Sequence, residues 1–208
     1  ILLSLVGSEM CIRDRHSVEC EIIHHDKSEH KEKIAAENNQ ETFGNLSSLL
    51  KCFEVAKKDQ SDLIYFVEDD YLHYEHSLVD MLNTYERVSS QHKDEIIVCP
   101  SDYPFNYMNN EKTNILIGSQ QHWRTITKML CTFMISKKMF QKHIDNFEKT
   151  CEKRHEPFEK YLNKILESEI GISPIKSLAI HMTNVNSSYG LSPFIDIKKL
   201  WEENKIRQ

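Results

Sequence analysis

Asp62-Leu63-Ile64-Tyr65-Phe66-Val67-Glu68-Asp69-Asp70-Tyr71-Leu72-His73 carries an uninterrupted apolar run straight into three consecutive carboxylates. From Leu63 to Val67 every side chain is aliphatic, β-branched or aromatic, without alternation. That is the pattern of a strand buried on both faces, as in a mostly parallel sheet covered by helices. Glu68, Asp69 and Asp70 then fall at the carboxyl end of that strand, the edge at which open α/β sheets bind ligands. Three adjacent acids repel one another unless a cation answers them. Mg²⁺ and Mn²⁺ take oxygen ligands, commonly one or two carboxylates together with substrate phosphates. A metal-phosphate site is one reading. The other is a solvated acidic turn at a helix start, where the macrodipole favours Asp and Glu.

Outward from this stretch, strands and helices alternate. Residues 45–56 place Leu46, Leu49, Leu50, Phe53 and Ala56 on one helical face, with Asn45 as the N-cap. A second helix is expected over 77–85 and a buried strand over 95–100, which leads into the loop Ser101-Asp102-Tyr103-Pro104-Phe105-Asn106-Tyr107. Residues 114–118 and 128–135 read as two further strands flanking a polar aromatic loop with His122-Trp123-Arg124-Thr125. Residues 139–147 and 158–166 read as amphipathic helices, and 175–181 as a last strand. Together these predict an α/β sandwich. His24-His25-Asp26 invites a metal reading, but neighbouring residues of a strand point to opposite faces, so the two imidazoles do not readily share one ion.

Composition narrows the function classes. With 208 residues, 39% of them hydrophobic, the chain is one ordinary domain able to bury a core. A net charge of -6 argues against holding nucleic acid by bulk electrostatics. No apolar run is long enough for an integral membrane segment. Six cysteines without Cys-x-x-Cys spacing suit reduced thiols and a cytoplasmic location. The opening is unusual: Leu5-Val6-Gly7-Ser8-Glu9-Met10-Cys11-Ile12-Arg13-Asp14 reads as ten codons of a transposase sequencing adapter, CTC GTG GGC TCG GAG ATG TGT ATA AGA GAC. Residues 1–15 are therefore set aside as adapter-derived, and residues 16–208 are taken as a single, N-terminally truncated domain.

Three blocks, Tyr65 to His73, His122-Trp123-Arg124-Thr125 with Thr132-Phe133, and His181-Met182-Thr183 with Leu191-Ser192-Pro193-Phe194-Ile195-Asp196, together resemble a bacterial and phage family of GT-A-fold glycosyltransferase-like proteins. The resemblance runs from about Phe43 to Trp201, and Glu68-Asp69-Asp70 looks like that fold's Asp-x-Asp motif in a Glu-Asp-Asp form. It implies a GT-A-like mixed, mostly parallel sheet between helices, here lacking the first strand, which would leave one side of a central strand unpaired. It implies a metal-dependent transfer of a sugar from a nucleoside-diphosphate sugar to a glycan, lipid-linked or small acceptor, with inversion, in the cytoplasm or peripheral to a membrane.

By the same resemblance Asp70 is the direct ligand of Mn²⁺ or Mg²⁺, with Asp69 and His181 completing the metal site. Glu68, Asp69 and Asp102 face the donor. Tyr71, Trp123 and Arg124 serve the acceptor or a phosphate, and Glu156 is the catalytic base. Two other readings stay open. A catalytically inactive GT-A-like module would bind carbohydrate or nucleotide without turnover. A nucleotidyltransferase could use the same acids, although no Gly-x-x-x-x-Gly-Lys phosphate loop is present.

Overall fold

The computed structural model describes residues 2–4, 23, 29–34, 40–108, 110–182 and 196–204. Its order is β1 (Leu2–Ser4), α1 (Gln40–Lys58), β2 (Leu63–Phe66), β3 (Tyr71–His73), α2 (Ser77–His92), β4 (Ile96–Val98), α3 (Phe105–Met108), β5 (Ile115–Ile117), β6 (His122–Ile126), β7 (Phe133–Ser136), α4 (Lys137–Lys142), α5 (Ile144–Glu152), α6 (Lys160–Ile165), β8 (Ile170–Pro174), β9 (Ala179–His181) and α7 (Ile197–Asn204). Six strands, β2-β7-β4-β8-β6-β5, form one mixed sheet, and β1 adds a seventh beside β2. A separate ribbon pairs β3 with β9.

The apolar runs behave as their lack of alternation requires. Ile64, Phe66, Ile97, Phe133 and Ile135 enter one core beneath α1 and α4 to α6, with Phe53, Phe140 and Phe147. Tyr65, Val67, Ile96, Val98, Met134 and Ile172 point the other way, into a second core with Leu78, Met81 and Val88 of α2. The expectation of a sheet sandwiched by helices holds. The expectation of a mostly parallel sheet does not: β1–β2 and β4–β8 are parallel, whereas β2–β7, β4–β7, β5–β6 and β6–β8 are antiparallel. Apolar continuity reports burial on both faces and is silent about strand direction, and here β7 runs backwards between β2 and β4. Leu2–Ser4, inside the stretch read as adapter-derived, pair in parallel with β2.

Local boundaries shift for similar reasons. Helix α1 starts at Gln40, and Asn45 lies exposed within it rather than capping it; Phe43 extends the Leu46-Leu50-Phe53 stripe by another turn. The loop expected at His122-Trp123-Arg124-Thr125 is strand β6, between β5 and β8. Its polar residues disguise a strand whose Trp123 and Ile126 serve opposite cores. Cys52, Cys99, Cys131 and Cys151 are buried, and Cys99, Cys131 and Cys151 are free thiols. Among the described residues no helix is long and apolar enough to cross a membrane.

Candidate functional site

Because β7 is antiparallel to both β2 and β4, those two strands run the same way, and β8 follows β4. The carboxyl ends of β2, β4 and β8 therefore share one edge of the sheet. Antiparallel β6 brings its amino end to the same edge, with Trp123 opposite Pro174 and Arg124 opposite Ser173. Topology alone collects Glu68 to Asp70, Asp102 and Arg124 there, spread over about 19 Å from β2 to β6 at ~4.8 Å per strand.

The acidic end is the most organised part. Glu68, Asp69 and Asp70 form the link from β2 to β3, closed by a Tyr71 N–H to Glu68 carbonyl bond of 3.4 Å. Thr132, at the entrance to β7, accepts from the Glu68 N–H at 3.0 Å and donates to Glu68 Oε2 at 3.3 Å. The β3–β9 ribbon sets Tyr71 opposite His181, and their rings stack with centroids 4.7 Å apart. His181 Nε2 then lies 2.7 Å from Asp70 Oδ2, while the Met182 N–H donates to the Asp70 carbonyl at 2.7 Å. Asp69 is exposed beside them.

Electrostatics ties a further acid to this group. Burial pushes Glu68 up to about 7, with Asp70 and Glu159 repelling its charge and His181 favouring it. Burial also raises Glu159, against the attraction of His181. For His181, burial disfavours the charged ring, but the Asp70 hydrogen bond and the charges of Asp70, Glu68 and Glu159 outweigh it and raise the ring above its ordinary value. Helix α6 delivers Glu159, and Asn163 of that helix fastens it to the loop before Thr132 by accepting from the Met129 N–H at 2.8 Å. Glu156, expected as the base, is exposed on the other side of a cis Glu156-Pro157 bond. Glu159 was not singled out from sequence; both acids lie in one charged segment, and only packing separates them.

At the β4–β6 end, Asp102, Tyr107 and Arg124 form one cluster. The Tyr107 hydroxyl donates to Asp102 Oδ2 and accepts from Arg124 Nη2 at 2.5 Å, and the guanidinium lies 4.1 Å from the Tyr107 ring centroid. Asp102 Oδ1 and Arg124 Nε, 3.8 Å apart, are both buried and have no hydrogen-bond partner among the described residues. Burial raises the Asp102 carboxyl against the Tyr107 bond and the Arg124 charge. The two ends are linked through the Tyr71 and Tyr103 hydroxyls, which bond to each other.

Two expected contacts are spent internally. Trp123 is fully buried against the α2-side core, which leaves its ring no face for an acceptor sugar. Tyr71 is fully buried too, so it positions His181 instead of meeting an acceptor. Thr183 and Leu191 to Ile195 of the resemblance, and His24-His25-Asp26, lie outside the described residues. A cavity of about 600 Å³ between α1 and α5, lined by Leu50, Phe53, Ile144 and Cys151, involves none of the site groups.

The residues suit a divalent ion held partly by substrate. A carboxylate and an imidazole converge at Asp70 and His181, both partly exposed, and among the described residues no group of three or more His, Cys, Asp or Glu is placed to hold a metal ion without further ligands. Such a half-shell is what Mg²⁺ or Mn²⁺ uses when phosphates supply the remaining oxygens. The chain matches no protein-family model and no curated protein.

Proposed function

We propose that the chain is a GT-A-type glycosyltransferase domain that transfers a sugar from a nucleoside-diphosphate donor in a reaction dependent on Mn²⁺ or Mg²⁺. The observation that carries this reading is the Asp70–His181 pair at the carboxyl end of β2, on the same sheet edge as Asp102 and Arg124. Asp70 and His181 would hold the ion, with Asp69 beside them. The ion's contribution is to neutralise the charge that gathers on a departing diphosphate. Glu68, its carboxyl pushed up to about 7 by burial, offers a hydrogen bond to ribose or sugar hydroxyls. Asp102 and Arg124 would face the donor's far end, and the distance along the edge suits an extended nucleotide-sugar. The general base, expected at Glu156, falls better to Glu159, since it is the carboxylate that senses Glu68 and His181. The acceptor is a glycan, a lipid-linked glycan or a small hydroxylated molecule, and the buried free thiols suit a cytoplasmic setting, free or peripheral to a membrane.

One observation favours a second reading, a binding module without turnover: Trp123, the aromatic expected to stack on an acceptor, is sealed in the core. Calorimetry with UDP, GDP, CMP and dTDP in the presence of Mn²⁺ tests the site, and release of nucleoside diphosphate from the sugar donors tests catalysis. Metal-dependent binding lost in Asp70→Ala and His181→Ala supports the site. Binding without release selects the module, and metal-independent binding unchanged in both variants rejects the proposal.

A further inference from the structure

The other end of the sheet carries a feature that the acidic site does not use. Strand β5 is the last in the order, and among the described residues nothing pairs with its outer edge. Its Ile115 and Ile117 are 56% and 62% exposed. Ile115 sits opposite Arg124, so both isoleucines share the face on which Tyr107 packs against Arg124. Tyr107 and Met108 are themselves 60% and 66% exposed. Four of the five large apolar side chains left exposed among the described residues thus gather at this edge, Val79 being the fifth.

The hydrogen-bond phase of the ladder determines what the edge offers. The Gly118 N–H donates to the Gln121 carbonyl and the Thr125 N–H to the Asn114 carbonyl, both at 3.0 Å. Residues 114, 116 and 118 therefore turn their backbone groups toward β6. By the alternation of an antiparallel ladder, the N–H and C=O groups of Ile115 and Ile117 point outward.

We infer that a second copy of this chain pairs with that edge, β5 against β5 in antiparallel fashion, about a twofold axis through Leu116. In this register Ile115 of one copy faces Ile117 of the other, and each such pair exchanges two backbone hydrogen bonds, four in all. The isoleucines of both copies meet on one face, beside Tyr107 and Met108. An isologous contact sets residue i against j and j against i, and in this register that places isoleucine against isoleucine at both outward-facing positions. Residues 113–121 carry no charge, so pairing opposes no like charges. Lys112 of one copy would face Gln120 of the other. Between residues 113 and 121 the edge has no lysine or proline of the kind that deters strand addition, Lys112 lying just before it. The contact is small by the standard of stable interfaces, so association is expected at micromolar concentrations. This inference does not depend on the proposed activity.

Sedimentation equilibrium between about 1 and 200 μM is the direct test. The expected result is a rise from the 24.5 kDa chain mass toward twice that value, abolished in Ile117→Lys without a change in melting temperature, since the side chain is exposed. The register is tested by oxidising Ile115→Cys/Ile117→Cys. Facing Cα atoms at about 5.5 Å lie within disulfide range, so the double variant should give a covalent dimer that neither single variant gives. A monomer throughout the concentration range, a dimer that survives Ile117→Lys, or equal cross-linking of the single variants would each overturn the inference.

Discussion

His181 Nε2 stands 2.7 Å from Asp70 Oδ2 although 111 residues separate them. The contact exists because the β3–β9 ribbon sets Tyr71 against His181, one residue beyond Asp70. The ribbon thus does for the site what no local motif does: it brings an imidazole to Asp70, Glu68 and Glu159. Burial disfavours the charged form of that imidazole, and the Asp70 hydrogen bond with the charges of Asp70, Glu68 and Glu159 outweighs it and raises the ring above its ordinary value.

The division of labour between Glu159 and Glu156 is testable in turnover. Glu159→Gln is expected to lower the rate of sugar transfer about 100-fold or more, the usual contribution of a positioned base. Exposed Glu156→Gln should stay close to the parent. Steady-state kinetics under saturating donor decides it, and the reverse ranking would return the base to Glu156.

Tyr71 is the strut of the site. Its hydroxyl bonds to that of Tyr103 in a fully buried setting, so Tyr71→Phe leaves the Tyr103 oxygen short of a partner and should cost about 1–2 kcal/mol in urea unfolding. Tyr71→Ala also removes the ring under His181 and should cost about 3–5 kcal/mol. Equal costs for the two variants would show that the hydroxyl pair, and not the ring, matters.

Stability should fall in mild acid through His73. The ring is buried, its Nε2 lies 2.6 Å from the Tyr65 hydroxyl, and burial lowers its folded pKa to about 3. The unfolded chain takes up the proton near pH 6.5, whereas the folded protein refuses it until about 3. Between those values the unfolded state binds more protons, so stability drops as pH falls, by at most about 1.4 kcal/mol per pH unit. Unfolding midpoints measured from pH 7 to pH 4 should decline less steeply in His73→Gln; the same slope in both proteins would exclude His73 as the source.

Gly118 is required by packing. A Cβ there would collide with Cδ1 and Nε1 of Trp123 and lie 2.8 Å from Thr84 Oγ1. Trp123 is fully enclosed and has no room to retreat, so Gly118→Ala should destabilise by about 1–3 kcal/mol. A melting temperature equal to that of the parent would mean that the turn after β5 yields instead.

Much of the layered plan was legible because local chemistry encodes it. Ile64 to Val67 lack alternation, so both faces of β2 had to be covered, and the acids after Val67 had to emerge at the strand's carboxyl end. Helix α1 was readable from the Leu46-Leu50-Phe53 stripe, although its start was not, since Asn45 sits where the stripe still continues. Strand β6 was illegible because Arg124 and Thr125 look like loop residues until Tyr107 and Asn114 are seen to satisfy them.

Strand direction, and with it the membership of the site, belonged to the tertiary structure. Residue order states which side chains prefer burial, but a free thiol, a tryptophan or a glutamate has the same local signature whether it faces a core or a ligand. Only long-range packing put β7 backwards between β2 and β4, closed Trp123 into the core, set Glu159 near Glu68 and His181 while leaving Glu156 exposed, and brought His181 to Asp70. Those outcomes follow from pairing energies between segments distant along the chain, and no window of neighbouring residues contains them.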